Sequence, residues 1–198
     1  DYLFAAYDGA TLTVDGTSTY QGCLDQTSNE PVFLADNATV SVKKIRANGG
    51  KPTAISDHGG SLWVGSFTPT VDGARVTCQN GGTFGVYGNL QLSESGKTST
   101  LEILGAGSKI STTSGISANG QVLLGNGTAG KLTVRLAPAA DWVTGGARVS
   151  SANLVKLTAN VKFIIDLANV TADMMKKPMT ILSGNGSSSY AIPGKKNV

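Results

Sequence analysis

The chain has 198 residues and carries 16 lysines and arginines against 13 aspartates and glutamates, a net charge of +3. That length fits one domain with a sizeable core, or one segment of a repetitive chain, and the small, scattered basic excess excludes nucleic-acid binding through clustered Lys and Arg. Glycine occurs 26 times, Ser, Thr and Asn are abundant beside it, and only 15% of the chain is charged, which argues against a helical bundle and suits short strands joined by tight turns.

In chain order, the first alternating run is Thr11-Leu-Thr-Val-Asp-Gly, followed by an irregular stretch over 15–37. Residues 1–37 are therefore expected to form an irregular N-terminal cap region. Period-2 runs bounded by turn residues then recur from 38 to 167. They are Ala38-Thr-Val-Ser-Val, Ser61-Leu-Trp-Val-Gly, Ala74-Arg-Val-Thr-Cys, Asn89-Leu-Gln-Leu, Thr100-Leu-Glu-Ile-Leu-Gly and Ser108-Lys-Ile-Ser. Gln121-Val-Leu-Leu-Gly, Lys131-Leu-Thr-Val-Arg-Leu, Asn153-Leu-Val-Lys-Leu and Val161-Lys-Phe-Ile-Ile continue the series. Over 168–198 the chain reads as a short helix, a strand and a tail. Asn169 or Thr171 caps the helix, Pro178 stops it, and Met179–Gly184 forms the strand.

The leading apolar residues Val40, Leu62, Leu90, Ile110, Leu132 and Leu154 recur at steps of 22, 28, 20, 22 and 22 along the chain. A second set, Val76, Leu101 and Val122, steps by 25 and 21. A period of about 22 holding two or more strands predicts the coil of a β-solenoid. The all-β alternative is a β-sandwich with strands at intervals of about 8–12. No run of about 18 apolar residues encodes a membrane-spanning helix. The chain starts at Asp1 with neither Met nor a signal-like stretch, which implies a removed leader or an excised segment.

Two segments carry a resemblance. Residues 60–111, GSLWVGSFTPTVDGARVTCQNGGTFGVYGNLQLSESGKTSTLEILGAGSKIS, contain units of the form G-x-L-x-V-G and S-T-L-x-I-x-G. With the closing stretch NVKFIIDLANVTADMMKKPMTILSG, the region 60–183 resembles bacterial autotransporter passenger repeats of the pectin-lyase-like type. The resemblance implies a right-handed parallel β-helix displayed outside the cell, as a passenger segment attached to the outer membrane. It brings no catalytic residues, and the chain departs from the family in its two cysteines and its irregular N-terminal third.

In regular coils the span from Cys23 to Cys78 is about two and a half turns, or ~10–14 Å along the stack, beyond the roughly 7 Å a disulfide spans. Both are expected as free thiols, with Cys78 facing inward beside Val76; a bridge would favour the sandwich. A single histidine, His58, and the lack of CxxC or HExxH spacing exclude a zinc site of those kinds. No phosphate-loop motif occurs, and no cofactor is expected.

Three candidate sites remain. Asp57 and His58, with Asp36 and Asp72 on nearby coils, form the densest acidic group, and a glycosidase needs two carboxylates about 5–10 Å apart; the plainer reading of an Asp–His pair in a loop is turn chemistry. Lys43, Lys44, Arg46 and Lys51 form the one basic cluster, suited to an acidic glycan or to blunting a strand edge. Trp63 lies between Leu62 and Val64, so if those face the core it points outward as a contact for ligand or partner; Trp142 instead anchors its loop. The expected protein is thus an extracellular or cell-surface, adhesin-like β-helix scaffold without catalysis, whose partner is a surface glycan or protein. Its rivals are a polysaccharide lyase or glycoside hydrolase on the same fold, and a sandwich that binds carbohydrate or builds a phage particle.

Overall fold

The computed structural model describes residues 2–13, 20–21, 32–47, 51–69, 72–93, 96–112, 121–124, 130–151, 153–157, 161–184 and 189–190, with 2–3, 20–21, 43–47 and 189–190 described as backbone only. Cys23 lies outside them. Nineteen strands occur among the described residues, and the chain makes seven passages through them. The first passage comprises β1 (Tyr2–Tyr7), β2 (Thr11–Thr13) and β3 (Tyr20–Gln21). In the second and third, β4 (Val32–Asp36) precedes the long β5 (Thr39–Ala47), and β6 (Thr53–Asp57) precedes the long β7 (Ser61–Phe67). The fourth holds β8 (Ala74–Gln79), β9 (Thr83–Val86) and β10 (Leu90–Leu92); the fifth holds β11 (Thr98–Leu104), β12 (Lys109–Thr112) and β13 (Gln121–Leu124). The sixth has β14 (Lys131–Ala137), β15 (Val149–Ser151) and β16 (Leu154–Leu157), and the seventh β17 (Val161–Ile165), β18 (Leu182–Gly184) and β19 (Ser189–Tyr190).

The first strand of every passage joins one sheet, ordered β1-β4-β6-β8-β11-β14-β17. The remaining strands form a second sheet that splits into two branches. β7 pairs with β9 over Ser61–Val64 and with β10 at Phe67, after which β12, β15 and β18 extend one branch and β13, β16 and β19 the other. Every described pairing is parallel, whereas a hairpin-built sandwich would be antiparallel. The chain is all-β with parallel sheets.

Register stacks like residues on like. In the first sheet Phe33, Ala54, Val76, Leu101, Val134 and Phe163 form one inward column, and Ala35, Ser56, Cys78, Ile103, Leu136 and Ile165 the other. Opposite them Val40, Leu62, Phe84, Ile110 and Val149 fill the second sheet's column, all with no exposure. Cys78 is a buried free thiol within this core. At the edge strand β17, Ile165 continues its column yet is 52% exposed, since no described strand lies beyond it.

Within 1–37, β1 and β4 join the first sheet, with a register shift between Tyr2 and Phe4. The interval of 22 holds from Val40 to Leu62 to Phe84, but Leu90 pairs with Phe67 and Val122, and Leu132 lies in the other sheet. Near the C-terminus the helix α1 is one turn, Ala172–Met175, capped by Thr171, and the strand expected over Met179–Gly184 is confined to Leu182–Gly184. No helix among the described residues is long and apolar enough to cross a membrane.

Candidate functional site

The corner leaving the first sheet explains where its polar residues come from. Asp8, Asn37, His58 and Asn80 each take a left-handed conformation there, with φ of 50°, 47°, 45° and 48°. Gly, Asn, Asp and His adopt it most readily, so the turn favours polar side chains and the stacking brings successive ones together. Asp36 and Asp57 precede this corner in register on adjacent strands. His58 Nδ1 lies 2.7 Å from Asp36 Oδ1 and 3.4 Å from Asp57 Oδ1. Asp57 Oδ2 accepts from Gln79 Nε2 at 2.6 Å, and its Oδ1 accepts from Asn80 Nδ2 at 2.9 Å and from the His58 backbone N–H at 2.7 Å.

Burial pushes the Asp57 carboxyl upward, but the hydrogen bonds from Gln79, Asn80 and the His58 backbone outweigh it and hold the group below its usual range. The Asp36 hydrogen bond, with the Asp57 charge behind it, raises His58. Ligand atoms of Asp36, Asp57 and His58 all lie within 4.8 Å of one another, close enough to share a cation. Each is already committed: both Asp57 oxygens accept donors, and Asp36 holds His58. Glycosidic acid catalysis uses a carboxyl with a raised pKa, and Asp57 moves the other way. What the group does is tie three successive strands by side-chain bonds. Asp72 is not part of it; its Oδ1 accepts from the backbone N–H and hydroxyl of Thr98 at 2.7 and 3.0 Å.

A second polar group on the outer face of the first sheet was not legible in the sequence. Thr77, Glu102 and Arg135 are register partners on β8, β11 and β14. The Glu102 side chain is 4% exposed. Its Oε2 accepts from Arg75 Nε and Thr77 Oγ1, both at 2.9 Å, and from a second Arg75 nitrogen, while Arg135 lies 3.6 Å from Oε1. Burial raises this carboxyl, and the bonds and charges of Arg75, Thr77 and Arg135 more than reverse it. The signal was present in the alternation of Thr98–Leu104, which turns Glu102 outward, but its partners lie one passage to either side and only the register identifies them.

Trp142, in a 3₁₀ turn over Ala140–Trp142, is 1% exposed and donates its Nε1 to the Gly105 carbonyl at 3.0 Å. Arg148 lies over its ring and binds Asp141 Oδ2 at 3.0 Å, so this tryptophan is an anchor. Trp63 is different. Leu62 and Val64 are fully buried, and Trp63 stands half-buried on the outer face of β7. Its Nε1 donates to Ser61 Oγ at 2.9 Å, and its ring lies 5.4 Å from that of Tyr87. Lys43, Lys44 and Arg46 belong to β5, where Arg46 pairs with Gln21 and Ser66; their side chains lie outside the described residues. Lys51 is exposed ahead of β6.

Comparison of the chain with known protein families, characterised proteins and solved structures finds no match.

Proposed function

We propose that the chain is a right-handed parallel β-helix serving as an extracellular or cell-surface scaffold of adhesin-like kind, without catalysis, in the manner of the autotransporter passengers it resembles. Seven passages through the same order of strands support the helix, each passage being one coil. The observation that carries the function is where the polar side chains are spent. His58 binds Asp36, Gln79 and Asn80 bind Asp57, Thr98 binds Asp72, and Arg75 and Thr77 bind Glu102. Each bond joins one coil to another, so charge is used to stiffen the stack rather than to act on a substrate. A rod built this way suits a spacer that presents its outward side chains and loops to a surface glycan or protein.

The test is turnover of a panel of acidic and neutral polysaccharides by the purified chain, following reducing ends and unsaturated products. No turnover is expected. Turnover abolished by Asp57→Ala would overturn the scaffold reading, and a stable trimer in solution would point instead to a phage-spike-like assembly. Cleavage of the protein on intact source cells by added protease checks the surface location.

A further inference from the structure

The outer face of the branch carrying β5, β7 and β9 is a ladder of hydroxyl side chains. Thr13, Ser41, Trp63, Gly85, Ser111 and Ser150 are successive register partners on it. Thr39, Ser61 and Thr83 run alongside. One large aromatic residue interrupts this ladder, and the next position is glycine. The pairing has a steric reason. A Cβ at Gly85 would stand 2.2, 2.3 and 2.4 Å from three atoms of the Trp63 six-membered ring, so the face of the indole, not its edge, covers Gly85. Any larger residue there would lift the ring off the sheet.

The ring is also held. Its Nε1 is bound to Ser61 Oγ at 2.9 Å, and Tyr87, tilted 41° with its centroid 5.4 Å away, is bound through its hydroxyl to Ser41 Oγ at 3.1 Å. Two half-buried aromatic rings are thus fixed side by side before anything binds, which lowers the ordering cost of binding. The side chains bonded to them, Ser61 and Ser41, are small hydroxyls, which can donate and accept but carry no charge; Lys109 stands one register step beyond Thr83. Neither hydroxyl offers a charge to an acidic or basic partner. A pyranose fits both features: its C–H face packs on an aromatic ring, and its hydroxyls exchange hydrogen bonds with Ser and Thr.

We propose that Trp63 and Tyr87 form a preformed platform for an uncharged pyranose ring of a surface glycan. This deepens the adhesive part of the scaffold reading and rests on it. The experiment is a fluorescence titration of the purified chain with neutral gluco-, manno-, galacto- and N-acetylglucosamine oligosaccharides. Trp142 is 1% exposed and gives a constant background, so Trp63 is the reporter. A saturable change is expected with at least one series, weakened on the order of tenfold by Trp63→Ala, the scale of one aromatic contact with its buried area, and less by Tyr87→Phe, which keeps the ring. If Trp63→Ala does not melt cooperatively, protection of Trp63 against oxidation by the bound oligosaccharide, mapped on peptides of the unaltered chain, replaces it. Saturation by no neutral series, unchanged affinity in Trp63→Ala, or binding confined to acidic oligosaccharides would each overturn the proposal. Loss of this proposal leaves the expectation of no turnover untouched, whereas turnover of a polysaccharide strikes the scaffold reading and not the aromatic contact.

Discussion

Two adjacent glycines in the third passage are required for different reasons, and substituting each in turn separates backbone strain from the close approach of successive passages. Gly59 has a φ of 76° and open space around a built Cβ. Gly59→Ala therefore costs only the left-handed penalty of an L-residue, about 1–2 kcal/mol. Gly60 has no such φ, but its Cβ would stand 2.2 Å from the Ala35 carbonyl oxygen and 2.7 Å from that of Asp57, where real contacts stay beyond 3.0 Å. Relieving the first contact alone moves the third passage about 0.8 Å off the second. Two backbone bonds hold the two at that corner, Ser61 N to Ala38 O at 2.8 Å and Asn37 N to Asp57 O at 3.0 Å, and a third, Gly60 N to Asp57 O at 2.7 Å, closes the turn itself. Stretching or losing two or three of them costs ~2–3 kcal/mol at about 1 kcal/mol each. Urea unfolding followed by far-UV circular dichroism should thus rank Gly60→Ala as clearly more damaging than Gly59→Ala. Gly82→Ala, with its Cβ 2.1 Å from the Ser56 carbonyl oxygen, should behave like Gly60→Ala. A Gly60→Ala loss equal to or smaller than that of Gly59→Ala would refute the claim that backbone approach between passages fixes these residues.

Three further outcomes are expected. His58, the chain's one histidine, should titrate above 6.5 by NMR, because Asp36 and Asp57 favour its charged form; its stabilising contribution is complete below 6.5 and fades as the pH rises through the folded value. A midpoint at or below 6.5, or no fall in Asp36→Asn, contradicts the bridge. Glu102→Gln should destabilise by ~1–2 kcal/mol, leaving Arg75 without its anion on a partly solvated face. The Glu102 carboxyl is held below its ordinary 4.5, so the gap between wild type and variant should be widest above that pH and shrink as the solution is acidified; a gap that widens in acid argues against the ion pair. The Cys78 thiol is pushed up to about 12 by burial and should resist maleimide in the native chain and react in urea, as read on its own peptide; rapid native labelling would show that the column Ser56–Cys78–Ile103 opens.

The strand-and-turn composition was legible because turns such as Asp57–Gly60 demand residues that tolerate the left-handed region, and because runs such as Lys131–Ala137 place large apolar residues inside at every second position. What the pattern hides is shown by Thr53–Asp57. Its inward residues are Ala54 and Ser56, both fully buried, while its bulkiest apolar residue, Ile55, points outward. The neighbouring Val32–Asp36 does the same with Ala35 inside and Leu34 outside, although Leu34 is itself only 7% exposed. Read by hydrophobicity alone, β6 has the wrong phase and β4 no phase. Small residues are needed there because Phe33 and Leu62 already fill the narrow space between the sheets. The same two strands set the register that stacks Asp36 on Asp57, so the sequence could name both acids beside His58 without placing one above the other. The length of a passage was obscured for a related reason. A passage crosses three strand positions of similar alternation, and an interval near 22 can therefore connect residues of different sheets. Loops lengthen at low entropic cost, so Leu101 and Val134 pair as directly as Ala54 and Val76, although the chain between the first two is longer by half. Backbone pairing, not spacing, decides which side chains meet, and the Arg75–Glu102–Arg135 group could be found only once it was known.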